Sequence, residues 1–259
     1  MNGFRFNLEL LETVDQVTGP EGTQFFFTND DTIGESLRRY GEWARNELDY
    51  LKQFVKKGDK VLDIGCNIGT HAMYFADQVG SRGYVTAIDA QLSAAALTMF
   101  TTWAQKRKNI NVLNIAIGQT PGYANIDFPR YETKSNFGAM ALNGKSSIIP
   151  QATLNEALFS EVNFIKMDVE GAELAILRGG LSWISNHRPY ISCEIWEEKK
   201  MEEIIQTLTP FNYSFELLDI PAWNPENFLG DSFNIFGNAT ERLLMCKPKG
   251  KLQFLAKIK

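Results

Sequence analysis

The sequence predicts an α/β fold: a doubly wound, mostly parallel sheet with a small N-terminal cap and a hairpin-like insert. Three observations carry that expectation. From Lys60 onward, short apolar runs alternate with stretches of helical spacing. The runs are hydrophobic throughout rather than polar at every second residue, as in strands covered on both faces by helices. A glycine loop, Gly65 to Gly69, joins the first run to the helix after it.

The elements follow in order. Residues 4–14 and 24–28, rich in Phe, Leu, Val and Thr, read as two strands around the turn Thr18-Gly19-Pro20-Glu21-Gly22. Between Thr32 and Val55 apolar residues recur every three or four positions, which predicts a helix interrupted at Gly41. Val61 to Ile64 is a strand, Thr70 to Val79 a helix, and Tyr84 to Ile88 a strand ending on Asp89. Leu92 to Arg107 is an Ala-rich helix and Ile110 to Ile115 a third strand. After an irregular stretch come a strand at Val162–Met167, a helix from about Gly171 to Ser185 and a strand at Pro189–Ile195. A helix over Lys199–Leu208 and strands at Tyr213–Leu218 and Leu243–Cys246 close the pattern. The stretch 118–151 is dense in turn signals, among them Asn136-Phe137-Gly138 and Asn143-Gly144. Long connections in compact domains are usually functional, so it reads as an active-site cover built on a hairpin.

With 259 residues, 44% of them hydrophobic, the chain is long enough for a real core. A formal net charge of −5 without a basic cluster argues against nucleic acid as a partner. The basic tail Lys247–Lys259 reads as a solvated end. Cys66, Cys193 and Cys246 are too scattered for a disulfide framework or a zinc site, which suits a reducing compartment. No signal-peptide core and no apolar run of membrane-spanning length is visible, so a cytoplasmic protein is expected.

The loop Asp63-Ile64-Gly65-Cys66-Asn67-Ile68-Gly69 carries the ligand argument. In open α/β sheets ligands bind beyond the carboxyl ends of the strands. Glycine at 65 allows a close ligand approach and backbone angles closed to other residues, and Gly69 permits a close helix start. Asp63 can accept a hydrogen bond from an ammonium group, and Asp89 both hydroxyls of a ribose. A dinucleotide fingerprint would need glycine where Asn67 stands, so the loop favours a nucleoside ligand without a pyrophosphate. Taken singly, Asp63 and Asp89 are equally consistent with helix caps.

The most distinctive segment is Ile165-Lys166-Met167-Asp168-Val169-Glu170-Gly171-Ala172-Glu173, followed by Leu177-Arg178-Gly179. Dipole compensation at a helix start would account for Glu173, but less well for Asp168, which stands where the sheet opens. With the glycine loop, in which Cys66 holds a small-residue position, and Arg188-Pro189 leading to Cys193-Glu194-Ile195, this segment resembles the FkbM-type methyltransferase family over roughly residues 40 to 195. Two departures stand out: Thr153-Leu154-Asn155 where the family usually has Thr-Leu-Asp, and Ile88-Asp89-Ala90 where it commonly has Phe-Glu-Pro.

The resemblance implies a class I, Rossmann-like methyltransferase domain over 58–259, with 1–57 as a strand and helix cap packed on it. It implies methyl transfer from S-adenosylmethionine, most readily to a hydroxyl on a sugar, polyketide or similar small molecule. Asp168 is the first choice of base, with Glu170 and Glu194 beside it. The expected cofactor residues are Asp63, Gly65, Cys66, Asn67, Gly69, Asp89 and Ala116. These acids would also suit a divalent cation such as magnesium, although structural carboxylates near a helix start are commoner and that reading is not favoured. His71 reads as a cofactor contact or a structural histidine, Tyr40 and Trp43 as core, and Glu42 and Glu47 as candidates to line the cleft from above. Trp223, Phe228, Phe233 and Phe236 suit either a sugar-binding surface or a packed cover. The competing readings are an NAD-type oxidoreductase and a non-catalytic adenosylmethionine-binding module.

Overall fold

The computed structural model describes residues 13–127, 129–138, 144, 145, 147–156, 159 and 161–250. Residues 4–12 of the first predicted strand and 251–259 of the basic tail lie outside them. The chain opens with an antiparallel hairpin, β1 (Val14–Gly19) and β2 (Gly22–Phe27), paired up to the turn itself. The predicted helix between Thr32 and Val55 is two helices, α1 (Ile33–Tyr40) and α2 (Arg45–Leu51). Gly41 stops α1 in the left-handed conformation, at φ 69°, and donates its N–H to Leu37 O. Phe26 and Phe27 of β2 and Ile33 and Leu37 of α1 pack with Ile68 and Leu97, which seats this N-terminal unit on the rest of the chain.

The strand–helix alternation then follows as expected: β3 (Lys60–Ile64), α3 (Thr70–Val79), β4 (Tyr84–Ile88), α4 (Leu92–Ala104) and β5 (Ile110–Leu113). The insert supplies β6 (Ala116–Ile117), β7 (Gly122–Ile126) and β8 (Ser147–Ala152), in which β7 and β8 form an antiparallel hairpin and β6 runs parallel to β8. Between β7 and β8 the chain passes beneath the N-terminal unit, where the Tyr131 ring stacks on Phe27 at 4.3 Å. Beyond it come β9 (Phe164–Met167), α5 (Glu173–Gly179), α6 (Leu181–His187), β10 (Tyr190–Glu194), α7 (Glu198–Leu208), β11 (Tyr213–Pro221) and β12 (Thr240–Pro248). The single helix expected from Gly171 to Ser185 is thus broken at Gly179-Gly180. Asn155 serves that break: its Oδ1 accepts from Trp183 N in the first turn of α6, and its Nδ2 donates to Gly179 O. An aspartate there would only accept, so the amide adds a contact that the commoner residue lacks.

Seven strands form the central sheet in the order β11-β12-β10-β9-β3-β4-β5. The five from β10 to β5 are parallel, and β12 runs antiparallel to both of its neighbours. Successive residues of a strand point to opposite faces, and the strand pairs Val61/Leu62 and Phe164/Ile165 divide accordingly. Val61 and Phe164 pack with Leu48, Leu51, Met73 and Phe75 of α2 and α3. Leu62 and Ile165 pack with Ile176, Leu177, Ile184 and Ile204 of α5, α6 and α7. Both faces are therefore covered, which is why the strands read as mostly apolar runs. Among the described residues no helix is long and apolar enough to cross a membrane.

Candidate active site

A cleft of about 440 Å³ opens at the carboxyl ends of β3, β4, β9 and β10, within the size range of small-molecule sites. Of the expected cofactor residues, Gly65, Asn67, Asp89 and Ala116 line it; of the expected catalytic residues, Asp168, Glu170 and Glu194 all do. Asp63, Cys66 and Gly69 are not among the lining residues. They build the loop from behind. Cys66 is buried, with its thiol pushed well up by burial and by the nearby Asp89 and Asp63 carboxylates. Gly69 begins α3 in the left-handed conformation.

The need for glycine at 65 has a more specific cause than ligand access. Gly65 sits at φ 79°, and a Cβ there would lie 1.7 Å from the Asp168 carbonyl oxygen. The glycine loop and the loop after β9 are thus in backbone contact, which locks the two motifs of the sequence together. Gly65→Ala should cost more than about 3 kcal/mol from strain and clash. The measurement is thermal unfolding, where a fall of roughly 10 °C in Tm is expected.

Asp89 is held in place by the loop it faces. Its Oδ2 accepts from Asn67 N and its Oδ1 from Gln91 N, each at 2.7 Å. Burial pushes its carboxyl up to about 6, although both backbone bonds favour the charged form. Each oxygen keeps a second lone pair, so two neighbouring hydroxyls can still be accepted.

Behind the cleft lies a buried charged group. Asp63 and Lys166 are register partners on β3 and β9 and share one face of the sheet. Lys166 is 3% exposed, and its Nζ donates to Asp168 Oδ2 at 3.1 Å. Burial opposes its charge, but the carboxylates of Asp168, Glu47, Asp63 and Glu194 together hold it protonated. Neither Asp63 oxygen has a hydrogen-bond partner among the described residues. Burial raises the Asp63 carboxyl, with Lys166 and His71 pulling the other way. His71 Nε2 meets Glu47 Oε2 at 3.1 Å. Burial works against the Glu47 charge, but His71 and Lys166 outweigh it and hold the carboxyl at about 2. His71 and Glu47 therefore belong to this inner group rather than to the cleft wall. Glu42 is also turned away, accepting from Asn224 Nδ2 and Phe228 N.

Trp43, expected in the core, lines the cleft with Phe236, their rings 5.9 Å apart. Tyr40 is buried, as expected, and its hydroxyl donates to Phe233 O. Asn136 and Gly138 reach the cleft from the insert, and Gln91 Nε2 donates to Phe137 O at 3.1 Å. Phe228 and Phe233 are exposed.

Of the residues that escaped the sequence reading, two set the charge of the site. Lys166 had a visible signal, a lone lysine inside the buried run Phe164–Met167. Glu241 had none that the sequence alone exposes. It reaches the cleft because β12 runs antiparallel to β10, which brings its first residues, Thr240 and Glu241, to the edge where the parallel strands end. Glu194 is pushed up to about 8, first by burial and then by Asp168, and Glu241 well above the usual range by burial, Glu47 and Glu194. Of the lining residues six are acidic (Asp89, Asp127, Asp168, Glu170, Glu194 and Glu241), and among the described residues no lysine, arginine or histidine joins them. No group of three or more His, Cys, Asp or Glu among the described residues is arranged to hold a metal ion.

Comparison with known proteins completes the assignment. Residues 63–217 match the family model of the methyltransferase FkbM domain, a span that starts at the glycine loop and runs into β11. No curated protein matches the chain significantly. Among solved structures, the methyltransferase FkbM from Methylobacillus flagellatus KT is similar at 14% identity, over 76% of this chain and 50% of that one, with a TM-score of 0.49. An S-adenosylmethionine-dependent methyltransferase from Aquifex aeolicus matches at 17% identity over 85% and 94% of the two chains, TM-score 0.45. Aeropyrum pernix fibrillarin, with natively bound S-adenosylmethionine, matches at 15% identity over 90% and 94%, TM-score 0.46. With the family model matching more than half of its length, this chain belongs to the FkbM methyltransferase family and is an S-adenosylmethionine-dependent methyltransferase.

Proposed function

We propose that the protein methylates a hydroxyl on a small molecule, a sugar, polyketide or similar compound, with Asp168 as the base. The observation that supports this most is the position of Asp168. With Glu170, Glu194 and Trp196 it lines both the main cleft and an adjoining recess of about 150 Å³, and of these three acids it is the one that accepts from Lys166 Nζ. The larger suits the donor and the smaller an acceptor group. Lys166 holds Oδ2 of Asp168, which leaves Oδ1 to take the hydroxyl proton as the new bond forms. A hydroxyl aligned with the methyl carbon gains from orientation as well as from proton removal. The bound donor supplies an activated methyl group on a sulfonium. Residues 1–57, through Trp43, and the insert, through Asn136 and Gly138, are proposed to shape the acceptor end. A nucleic-acid acceptor fits poorly, because the charged side chains lining the main cleft are carboxylates and those of the recess are carboxylates with Lys200.

For the donor, the fit rests on Asp89 beside the apolar side chains of Ile88 and Ile117. Asp89 would accept the ribose hydroxyls, with Gly65, Asn67 and Ala116 around the nucleoside and Asp63, Cys66 and Gly69 supporting the loop. Asp89→Ala should weaken S-adenosylhomocysteine binding by roughly 10- to 100-fold, the worth of hydrogen bonds to a charged group. In the unaltered protein that affinity should fall as the pH drops below about 6, because the protonated carboxyl loses acceptor strength. Calorimetric titration at several pH values checks both.

The test of the function is transfer of an isotope-labelled methyl group to a panel of sugars and polyols, with mass spectrometry locating it on oxygen. Tight donor binding without transfer to any acceptor would favour a non-catalytic binding module. Thermal stabilisation by NAD but not by S-adenosylmethionine would favour an oxidoreductase; saturating ligand at about 100 times its Kd adds roughly 2.7 kcal/mol.

A further inference from the structure

We infer that the acceptor carries a cationic amino group, seated where Glu194 and Glu241 meet at the rim of the cleft. This rests on the reading of the cleft as a small-molecule methyl-transfer site and names the acceptor's chemical class. Glu194 is the register partner of Leu243, and Glu241 lies two residues further along β12. Residues two apart on a strand share a face, so both carboxyls stand on the same side of the sheet. Both line the cleft. The Oε2 atom of Glu241 is buried with no hydrogen-bond donor from the described residues, while the carboxyl also meets that of Glu47. A buried acceptor without a donor costs free energy unless a ligand supplies one. The Trp196 indole, held by its N–H to Glu194 Oε1 at 2.9 Å, and the Phe236 ring line the same cleft. Carboxylates edged by aromatic faces suit an ammonium group, through charge-assisted hydrogen bonds and cation–π attraction.

The donor's sulfonium does not account for these acids, and its ammonium is equally present in S-adenosylhomocysteine, so a titration of that complex reads only a further cation. Transfer converts a sulfonium to a neutral thioether, so positive charge leaves the donor as the methyl moves. Negative charge concentrated beside it would stabilise the starting state more than the transition state. Lys166 pulls down Glu194 and Glu241 as well as the inner group, but it is not among the lining residues, and burial with the neighbouring acids outweighs it. Without a ligand cation, burial raises both carboxyls, Glu194 to about 8, so that Glu194 holds a proton at neutral pH. An arriving ammonium would displace that proton into solvent.

The test uses the full chain saturated with S-adenosylhomocysteine and calorimetric titration with matched probes: glucosamine and glucose, galactosamine and galactose, 4-aminocyclohexanol and cyclohexane-1,4-diol. At least one amine is expected to bind about tenfold or more tightly than its hydroxyl partner. Its binding at pH 7 should release protons, read as a heat that differs between phosphate and HEPES buffers. Glu241→Gln keeps a hydrogen-bonding side chain against Glu47 and removes the charge; it should abolish the preference while S-adenosylhomocysteine binds as before. The inference is overturned if no amine outbinds its partner on protein that binds S-adenosylhomocysteine, whether both bind equally or neither binds. Persistence of the preference in the Glu241→Gln variant overturns it as well. Failure to bind S-adenosylhomocysteine would instead remove the donor site, and this inference with it.

Discussion

Asp168→Asn is expected to lower kcat by about 10²- to 10⁴-fold, the usual contribution of a positioned general base, while S-adenosylhomocysteine affinity stays unchanged. The substitution is nearly isosteric, and the amide oxygen can still accept from Lys166 Nζ, which now holds Oδ2 at 3.1 Å. The capacity to take a proton is lost, together with one of the carboxylate charges that hold Lys166 protonated. The rival base is Glu194, and the pH profile separates the two. Burial and the Asp168 charge hold Glu194 at about 8, so near neutral pH it carries a proton and cannot act as a base. If Glu194 were the base, kcat would climb through about pH 8 and Glu194→Gln would abolish turnover. With Asp168 as base, kcat does not follow the titration of Glu194 and Glu194→Gln mainly raises the acceptor KM. A full rate in Asp168→Asn would remove it from the chemistry.

The two motifs that define the site were legible as text because each lies at a strand end, where a local pattern has one structural meaning. Asp63 to Gly69 could be placed after a strand and before a helix, and Asp89 after the next strand. What the text did not show is how the motifs touch. The contact between Gly65 and the Asp168 carbonyl joins residues more than a hundred positions apart, and glycine at 65 looked like a ligand requirement instead. Helix breaks were partly hidden for a related reason. The interruption at Gly41 is legible, but apolar spacing continues through Gly179-Gly180, so periodicity predicts one helix where a backbone turn and the neighbouring Asn155 make two. Glu241 was the hardest to find. Its place at the cleft depends on β12 entering the sheet antiparallel between β10 and β11, and a run such as Leu243–Cys246 carries no mark of its direction. Glu47, a candidate for the cleft wall, and His71, open between a cofactor contact and a structural role, both turn out to be structural. Both lie near the loop in sequence or in the preceding helix, yet they pair with each other behind the sheet and leave the cleft wall to Trp43.

Replacing Lys166 should produce the largest loss of stability among side chains around the site. Lys166→Met preserves much of the volume but removes the one ammonium that faces Asp63, Asp168, Glu47 and Glu194. Removing one partner of a buried ion pair costs about 3–5 kcal/mol, because the remaining charge is left without compensation. The sign of its pH dependence follows from the directions of the shifts. In the unaltered protein the folded pKa of Lys166 is raised, so its stabilisation is present below its unfolded value and is lost only as the pH rises through the folded one. In the variant the acids dominate. Asp63 and Glu194 already lie above their ordinary values by burial, and the lysine is among the charges that pull them down. Without it, the folded state binds still more protons than the unfolded state, so stability falls as the pH rises. The deficit should therefore be smallest near pH 4, grow through the range up to about 8 as Glu194 is forced to ionise, and be largest above it. Urea unfolding at pH 5 and pH 8 measures this directly. A loss of the same size at both pH values would mean that Lys166 contributes packing alone, and that the acids of the cleft do not depend on its charge.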